Sequence, residues 1–322
     1  MPIRMKVLYH DSCFDGAASA AVFSRFYVDK VHPDAELSYE GLFHKAGGHG
    51  IDESVLTGDE NANVDFRYSQ SPKLTWWFDH HVSAFQQPGD EEHYRKEAAG
   101  GRKFHDGTRK SCTCFIADVV KERYGFTPPE AMKELLYWAE IIDGALFESP
   151  RQAVELAEPA LQLMTVLEAN RDGAFIPRLI GELQRRPLAE VVREGWVAAP
   201  LQPLLDRHRA NIEVVKKKAK IEKGVVFFDV ADEGLDSLNK FIAYSLYPDA
   251  RYVVWVGRSE KRCKISLGSN PWRPDLRTHN LAVIAERYGG GGHPVVGAAS
   301  FSAGELEKAR KAAAEIVAEL RG

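Results

Sequence analysis

Cysteine is scarce in this chain: Cys13, Cys112, Cys114 and Cys263 are the four in 322 residues. They are too few and too scattered for a disulfide framework. Cys112-Thr113-Cys114 also lacks the second pair that a structural zinc site needs, so small buried residues are the plainer reading. Long hydrophobic runs are absent too. No segment approaches a membrane span, and the stretch from Met1 to Tyr9 carries no apolar run of signal-peptide length. The expectation is a cytoplasmic protein with no membrane partner. Positive charge is not in excess either: 42 Lys and Arg against 46 Asp and Glu leave a net charge of -4. No global basic field then draws in long nucleic acid. Short phosphorylated substrates stay open, because a local site or a bound cation can supply the positive charge. No internal repeat is evident.

What is present is ordinary globular material, 44% hydrophobic and 27% charged, enough for two domains. Met5 to Tyr9, Ala62 to Phe66 and Leu74 to Phe78 read as short strands. A small-residue helix starts near Gly16, and Thr127-Pro128-Pro129-Glu130 is a capping box. It opens a helix with Leu135, Trp138, Ala139 and Ile142 on one face, running into Asp143. Trp76 and Trp77 read as strand packing rather than base stacking. Pro88 to Lys110 reads as a polar surface loop or insertion. His44, His49, His93 and His105 read as solvated loop histidines.

From about Glu155 to Lys220 the pattern is helical, ending in a connector with an apolar stripe, and Lys216, Lys217, Lys218, Lys220 and Lys223 read as a solvated face. Beyond it, Val225 to Val230, Tyr252 to Val256, Lys264 to Leu267 and Val295 to Phe301 are strand-like. Helices follow from about Asn280 to Tyr288 and from the capping box Ser302-Ala303-Gly304-Glu305 onward. The fold class expected is α/β. Residues 1–200 would form a domain with a mostly parallel sheet flanked by helices, 201–222 a helical connector, and 223–322 a smaller α/β domain with a mixed sheet.

Chemistry concentrates where these elements end. Asp79-His80-His81 stands directly behind Leu74, Thr75, Trp76, Trp77 and Phe78. Burying a carboxylate and two imidazoles costs free energy unless they pair or hold a cation. His10 with Asp11 and Asp15, then Asp65, and then Asp143 also sit at element ends. In a parallel sheet such ends converge on one edge. Mixed carboxylate and imidazole ligation suits Mn²⁺, with Mg²⁺, Fe²⁺, Co²⁺ or Zn²⁺ also accommodated. Two such ions roughly 3.5–4 Å apart activate water for attack on phosphorus.

The same residues resemble the DHH phosphoesterase superfamily, which includes RecJ-type exonucleases, nano-RNases, cyclic-dinucleotide phosphodiesterases and manganese pyrophosphatases. Asp79-His80-His81 resembles its signature, and Tyr9-His10-Asp11-Ser12-Cys13-Phe14-Asp15-Gly16 followed by Ser19 resembles its first motif. Val64-Asp65-Phe66 is similar to the second and Ile142-Asp143 to the fourth. Gly289 to His293 followed by Gly297-Ala298 resembles the glycine-rich motif of the associated C-terminal domain. The motifs occur in the family's order across nearly the whole chain.

The resemblance implies two metal ions. Asp65 would bridge them, Asp15, His80 and Asp143 would complete one site, and His10 with a neighbour would hold the other. His81 would face the substrate phosphate and Asp79 would orient His80. Gly290, Gly291, Gly292 and His293 would hold the far end of the substrate across an interdomain cleft, with Ser266 nearby. Cys13 stands where many members carry an Asp. A thiolate ligand there would favour Zn²⁺ or Fe²⁺, and Asp11 is the alternative oxygen ligand. Gly268 stands where an Arg often meets a phosphate, a task that would pass to Arg273 or Arg277.

The implied activity is metal-dependent hydrolysis of short oligonucleotides or linear dinucleotides to nucleoside monophosphates by metal-activated water. A phosphatase acting on pyrophosphate, polyphosphate or small nucleotides is one alternative. A catalytically weak nucleotide-binding sensor is another. Long nucleic acid is not expected as a partner, and the oligomeric state is left open.

Overall fold

The apolar run at the start of the chain forms strand β1 (Arg4–His10), with Met5, Val7, Leu8 and Tyr9 buried. The computed structural model describes residues 1–43, 50–235 and 237–322. The chain divides into two units, Met1–Leu146 with Ala157–Leu201, and Phe147–Leu156 with Gln202–Gly322. Among the described residues no helix is long and apolar enough to cross a membrane.

In the first unit β1 is joined by β2 (Glu36–Leu42), β3 (Glu60–Val64), β4 (Trp76–Asp79) and β5 (Lys103–His105). The order is β2-β1-β3-β4-β5 and every pairing is parallel. All carboxyl ends therefore point to one edge. Trp76, Trp77 and Phe78 are buried in succession, as in a strand covered on both faces. Each indole N–H is satisfied within the fold, Trp76 by Glu60 Oε2 and Trp77 by the Phe66 carbonyl, both at 2.9 Å. The two tryptophans are core, as read.

Helix α1 (Phe14–Lys30) is buried along most of its length, because Ala17, Ala18, Ser19, Ala20 and Ala21 let neighbours approach closely. Its start lies hard against the end of β1: a Cβ on Gly16 would sit 2.1 Å from the His10 carbonyl oxygen. Two edge strands escape the sequence reading. In β2 half-buried and exposed residues alternate, so no apolar run marks it. The other, β5, lies inside residues 88–110, which are not the loop expected. They carry helix α2 (Asp90–Glu97) and the sheet edge. His93 and His105 are correspondingly not solvated loop residues. The first pairs with the Tyr68 hydroxyl at 2.9 Å, and the second stacks on Trp77 and donates from Nε2 to the His81 carbonyl at 2.8 Å. His44 and His49 lie outside the described residues. Helices α3 (Cys112–Tyr124) and α4 (Lys133–Asp143) follow, α4 burying Leu135, Trp138 and Ala139.

The second unit has six strands among the described residues: β6 (Lys220–Glu222), β7 (Val225–Asp229), β8 (Tyr252–Arg258), β9 (Arg262–Ser269), β10 (Gly291–His293) and β11 (Val296–Ser302). Their order is β10-β11-β9-β8-β7-β6, and β7 with β8 is the parallel pair in an otherwise antiparallel sheet. One face packs Val254, Val256, Ile265 and Leu267 against the helices Leu281–Glu286 and Leu306–Arg321. The chain is thus α/β with a parallel and a mixed sheet. The lysines near the end of the helix Gly195–Lys218 form a solvated face, with Lys216 and Lys218 paired to Glu213 and Glu233.

Candidate metal centre

Five polar side chains arrive at the carboxyl edge of the parallel sheet directly behind strand residues or at a strand's last position. His10 ends β1, Asp65 follows β3, Asp79 ends β4, and His80 and His81 come next. Asp15 enters from the first turn of α1 and Asp143 from the end of α4. Asp65 is held in the left-handed region at φ 58°, with its N–H donating to the Phe78 carbonyl at 2.9 Å. The buried Asn63 amide fixes that turn by donating to the carbonyls of Phe66 at 3.2 Å and Arg67 at 2.9 Å. A non-glycine residue in this conformation is uncommon, and such strain gathers at functional sites.

The side chains form two groups whose candidate ligand atoms all lie within 4.8 Å of one another: His10, Asp65 and His81, and Asp15, His80 and Asp143. Asp65 reaches both. Its Oδ2 is 3.5 Å from His10 Nδ1 and its Oδ1 is 3.4 Å from His80 Nε2. His80 Nε2 is also 3.4 Å from Asp143 Oδ2 and 3.8 Å from Asp15 Oδ2. Asp15 and Asp65 are each 1% exposed. Yet neither Asp65 oxygen, nor His80 Nε2, has a hydrogen-bond partner. Buried polar atoms are seldom left so. Carboxylate oxygens and imidazole nitrogens that face one another at these separations, with both Asp65 oxygens unpartnered, fit divalent cations held by O and N donors.

Charges respond to that crowding. Burial, and then the charges of Asp65 and Asp143, push the Asp15 carboxyl well above the usual carboxylate range. Burial and Asp65 raise Asp143 likewise. Burial would also raise Asp65, but the facing imidazoles of His10 and His80 outweigh it and hold its carboxyl at about 2. Burial would lower His80, yet Asp65 and Asp15 win and raise it to about 10.

No family model and no curated protein sequence matches the chain. Solved structures do. A pGpG-specific phosphodiesterase, PggH from Vibrio cholerae, superposes with a TM-score of 0.69 at 18% identity, covering 99% of this chain and 98% of that one. RecJ from Thermus thermophilus, solved in complex with Mn²⁺, superposes with a TM-score of 0.50 at 12% identity, covering 98% of this chain and 52% of RecJ. The chain shares its fold with these two proteins. It spans about half the length of RecJ.

Within this fold His80 joins Asp15 and Asp143 as expected, whereas Asp79 makes contacts other than those expected. Asp79 does not orient the His80 ring. Its Oδ1 accepts from His81 Nδ1 at 2.7 Å and from the backbone N–H groups of His80 at 2.8 Å and His81 at 3.2 Å. The His80 ring is fixed instead by the Arg109 carbonyl, which accepts from Nδ1 at 3.1 Å and so turns Nε2 toward the carboxylates. His81 joins His10 and Asp65 in one group and is 36% exposed at its side chain.

Cys13 falls in neither group. It precedes α1 at the cap position, and burial, with the charges of Asp65 and Asp15, pushes its thiol well above the usual value. Asp11 falls in neither group either, and its Oδ1 accepts from the Ser12 N–H at 2.5 Å.

The second-unit candidates divide in the same way. Arg273 is engaged with Asp275 at 3.2 Å and Asp249 at 3.8 Å. Ser266 Oγ is buried without a hydrogen-bond partner. A Cβ on Gly268 would lie 2.8 Å from the Tyr244 hydroxyl, so that position has no room for a longer side chain. Two of the four consecutive glycines serve the hairpin of β10 and β11. A Cβ on Gly290 would sit 2.0 Å from the Ala298 carbonyl oxygen, and one on Gly292, at φ 154°, 2.2 Å from that of Val296. Gly291 has open space where a Cβ would be, and His293 is exposed.

The sequence reading misses the surroundings of Asp15. Its Oδ1 accepts from Ser111 Oγ at 2.8 Å, Thr113 Oγ1 at 2.7 Å and the Thr113 N–H at 3.2 Å, and its Oδ2 from the Cys112 N–H at 2.6 Å. These donors are the N-cap and first turn of α3. Ser111 before a helical run is a visible cap signal, but nothing in the sequence links it to Asp15.

Proposed function

We propose that this chain is a metal-dependent phosphodiesterase that hydrolyses short oligonucleotides or linear dinucleotides to nucleoside monophosphates. The observation that carries it is Asp65: a buried carboxylate with both oxygens free of hydrogen bonds, one facing His10 and the other His80. Asp15, His80 and Asp143 would hold one divalent cation, Mn²⁺ in the leading reading. His10 and His81 would hold a second, and Asp65 would serve both. Bound there, the cations would supply a lowered pKa for water and charge neutralisation on a phosphate. Asp79 fixes the His81 ring on the side open to substrate, and the Arg109 carbonyl fixes His80. In the second unit Gly291, Gly292 and His293, with Ser266, would bind the rest of the substrate. A fold match along the full length of both chains, at a TM-score of 0.69, is to a pGpG-specific phosphodiesterase, which supports a dinucleotide over long nucleic acid.

The test is a product assay on a linear dinucleotide, short and long RNA, pyrophosphate and a bisphosphorylated nucleotide, with Mn²⁺, Mg²⁺, Fe²⁺ and Zn²⁺ varied separately. Release of nucleoside monophosphate from the shortest substrates, lost in Asp65→Ala and His80→Ala, is the expected result. Full activity in either variant, or phosphate release from pyrophosphate alone, would overturn the assignment.

A further inference from the structure

Resting on the reading of Asp15 as a metal ligand, we propose that the first turn of α3 makes Asp15 a one-oxygen ligand and that Thr113 is its positioning residue. A carboxylate oxygen offers about two lone-pair sites. Three donors converge on Oδ1, which leaves it nothing for a cation: the hydroxyls of Ser111 and Thr113 and the Thr113 N–H. A single donor, the Cys112 N–H, reaches Oδ2. That leaves Oδ2 one free site, and Oδ2 is the oxygen turned toward His80 Nε2. Geometry therefore selects the coordinating atom before any cation arrives.

The clamp has depth. The Ser19 hydroxyl lies 3.1 Å from Thr113 Oγ1. With the Thr113 hydrogen donated to Asp15, Ser19 donates to Thr113, and three side chains from two helices form one chain of hydrogen bonds. Ser19, Asp15, Ser111 and Thr113 are all buried. The arrangement also sits at the N-terminus of a 13-residue helix, where the peptide dipoles favour a negative charge. The clamp thus fixes the direction of the Asp15 carboxyl and withholds one of its oxygens. Without the clamp the carboxylate is free to rotate and to take a cation with both oxygens.

Thr113→Val removes one hydroxyl while keeping shape, and Thr113→Ser restores it. Titration calorimetry with Mn²⁺, on chelator-treated protein, reads the number of ions and their separate affinities. In Thr113→Val one of the two affinities is expected to fall about 10- to 100-fold, the range typical for groups that orient metal ligands. The other should hold, and Thr113→Ser should recover the loss. Wild-type protein that binds no Mn²⁺ would overturn the metal reading on which this rests. Wild-type binding of two ions with Thr113→Val unchanged would overturn the clamp alone. So would equal loss of both ions with a lowered melting temperature of the metal-free variant, the mark of a structural role; a loss at one ion that Thr113→Ser does not restore would overturn it too.

Discussion

Asp79 accepts from Nδ1 of His81 at 2.7 Å, although His80 is its immediate neighbour in the chain. The carboxylate therefore governs the outer imidazole of the signature, while a backbone carbonyl governs the inner one. Burial would lower His81, but Asp79 and then Asp65 outweigh it and raise it.

Asp79→Asn keeps an acceptor for the two backbone N–H groups and removes the charge. The His81 imidazole in the metal-free variant should titrate lower than in the wild type, as followed by NMR. Turnover should fall about 10- to 100-fold. An unmoved His81 titration would mean that Asp79 does not control that ring.

The metal-free protein should lose stability as pH rises. Asp15 and Asp143 stay protonated in the folded state above the ordinary carboxylate value near ~4, where the unfolded chain has already ionised. The contribution of His80 is complete below its ordinary value of about 6.5 and is lost as pH rises through about 10. Folded protein thus binds more protons than unfolded between those limits, and stability falls with pH. Asp65, held at about 2, acts in the opposite sense: its contribution is present above ~4 and lost as pH falls through 2. Melting in chelator from pH 5 to 9 should show Tm falling, with a shallower slope above neutrality in His80→Gln. Mn²⁺ should raise Tm more at pH 8 than at pH 6, because the cation takes the place of protons. A Tm in chelator that climbs across this range would refute the account.

Gly291→Ala separates binding from folding. With nothing near its added methyl group, the variant should melt with the wild type, while KM for a dinucleotide rises about 10-fold, the effect of ~1.4 kcal/mol. Gly290→Ala, which collides with the Ala298 carbonyl, should instead cost about 1–3 kcal/mol of stability by overpacking. Equal KM in wild type and Gly291→Ala would remove this strand from the substrate path.

The carboxyl edge was legible where its residues follow apolar runs: His10 after Val7, Leu8 and Tyr9, and Asp79-His80-His81 after Trp76, Trp77 and Phe78. Asp65, by contrast, follows a strand in which Asn61 and Asn63 alternate with Ala62 and Val64. A buried strand announces itself by continuous hydrophobicity, and the polar break behind it marks its end. The edge strands β2 and β5 have no such run, one alternating and the other three residues long. Contacts across the fold left no trace either. Ser111 and Thr113 stand 96 and 98 positions from Asp15, and a serine before a helix reads as a cap whatever else it touches. The division of labour between His80 and His81 depended on which ring Nδ1 faces a carbonyl, and that is set by tertiary packing rather than by the order Asp-His-His.

The backbone at Asp65 limits what the position can become. At φ 58° glycine fits freely, asparagine and aspartate fit cheaply, and other side chains pay about 1–2 kcal/mol. Aspartate alone among the three presents two anionic oxygens. Descendants of this chain that gave up the cations but kept the architecture would therefore drift first to asparagine or glycine here. Either residue at this turn, in an otherwise intact signature, would mark a lineage that has traded catalysis for another use of the same scaffold.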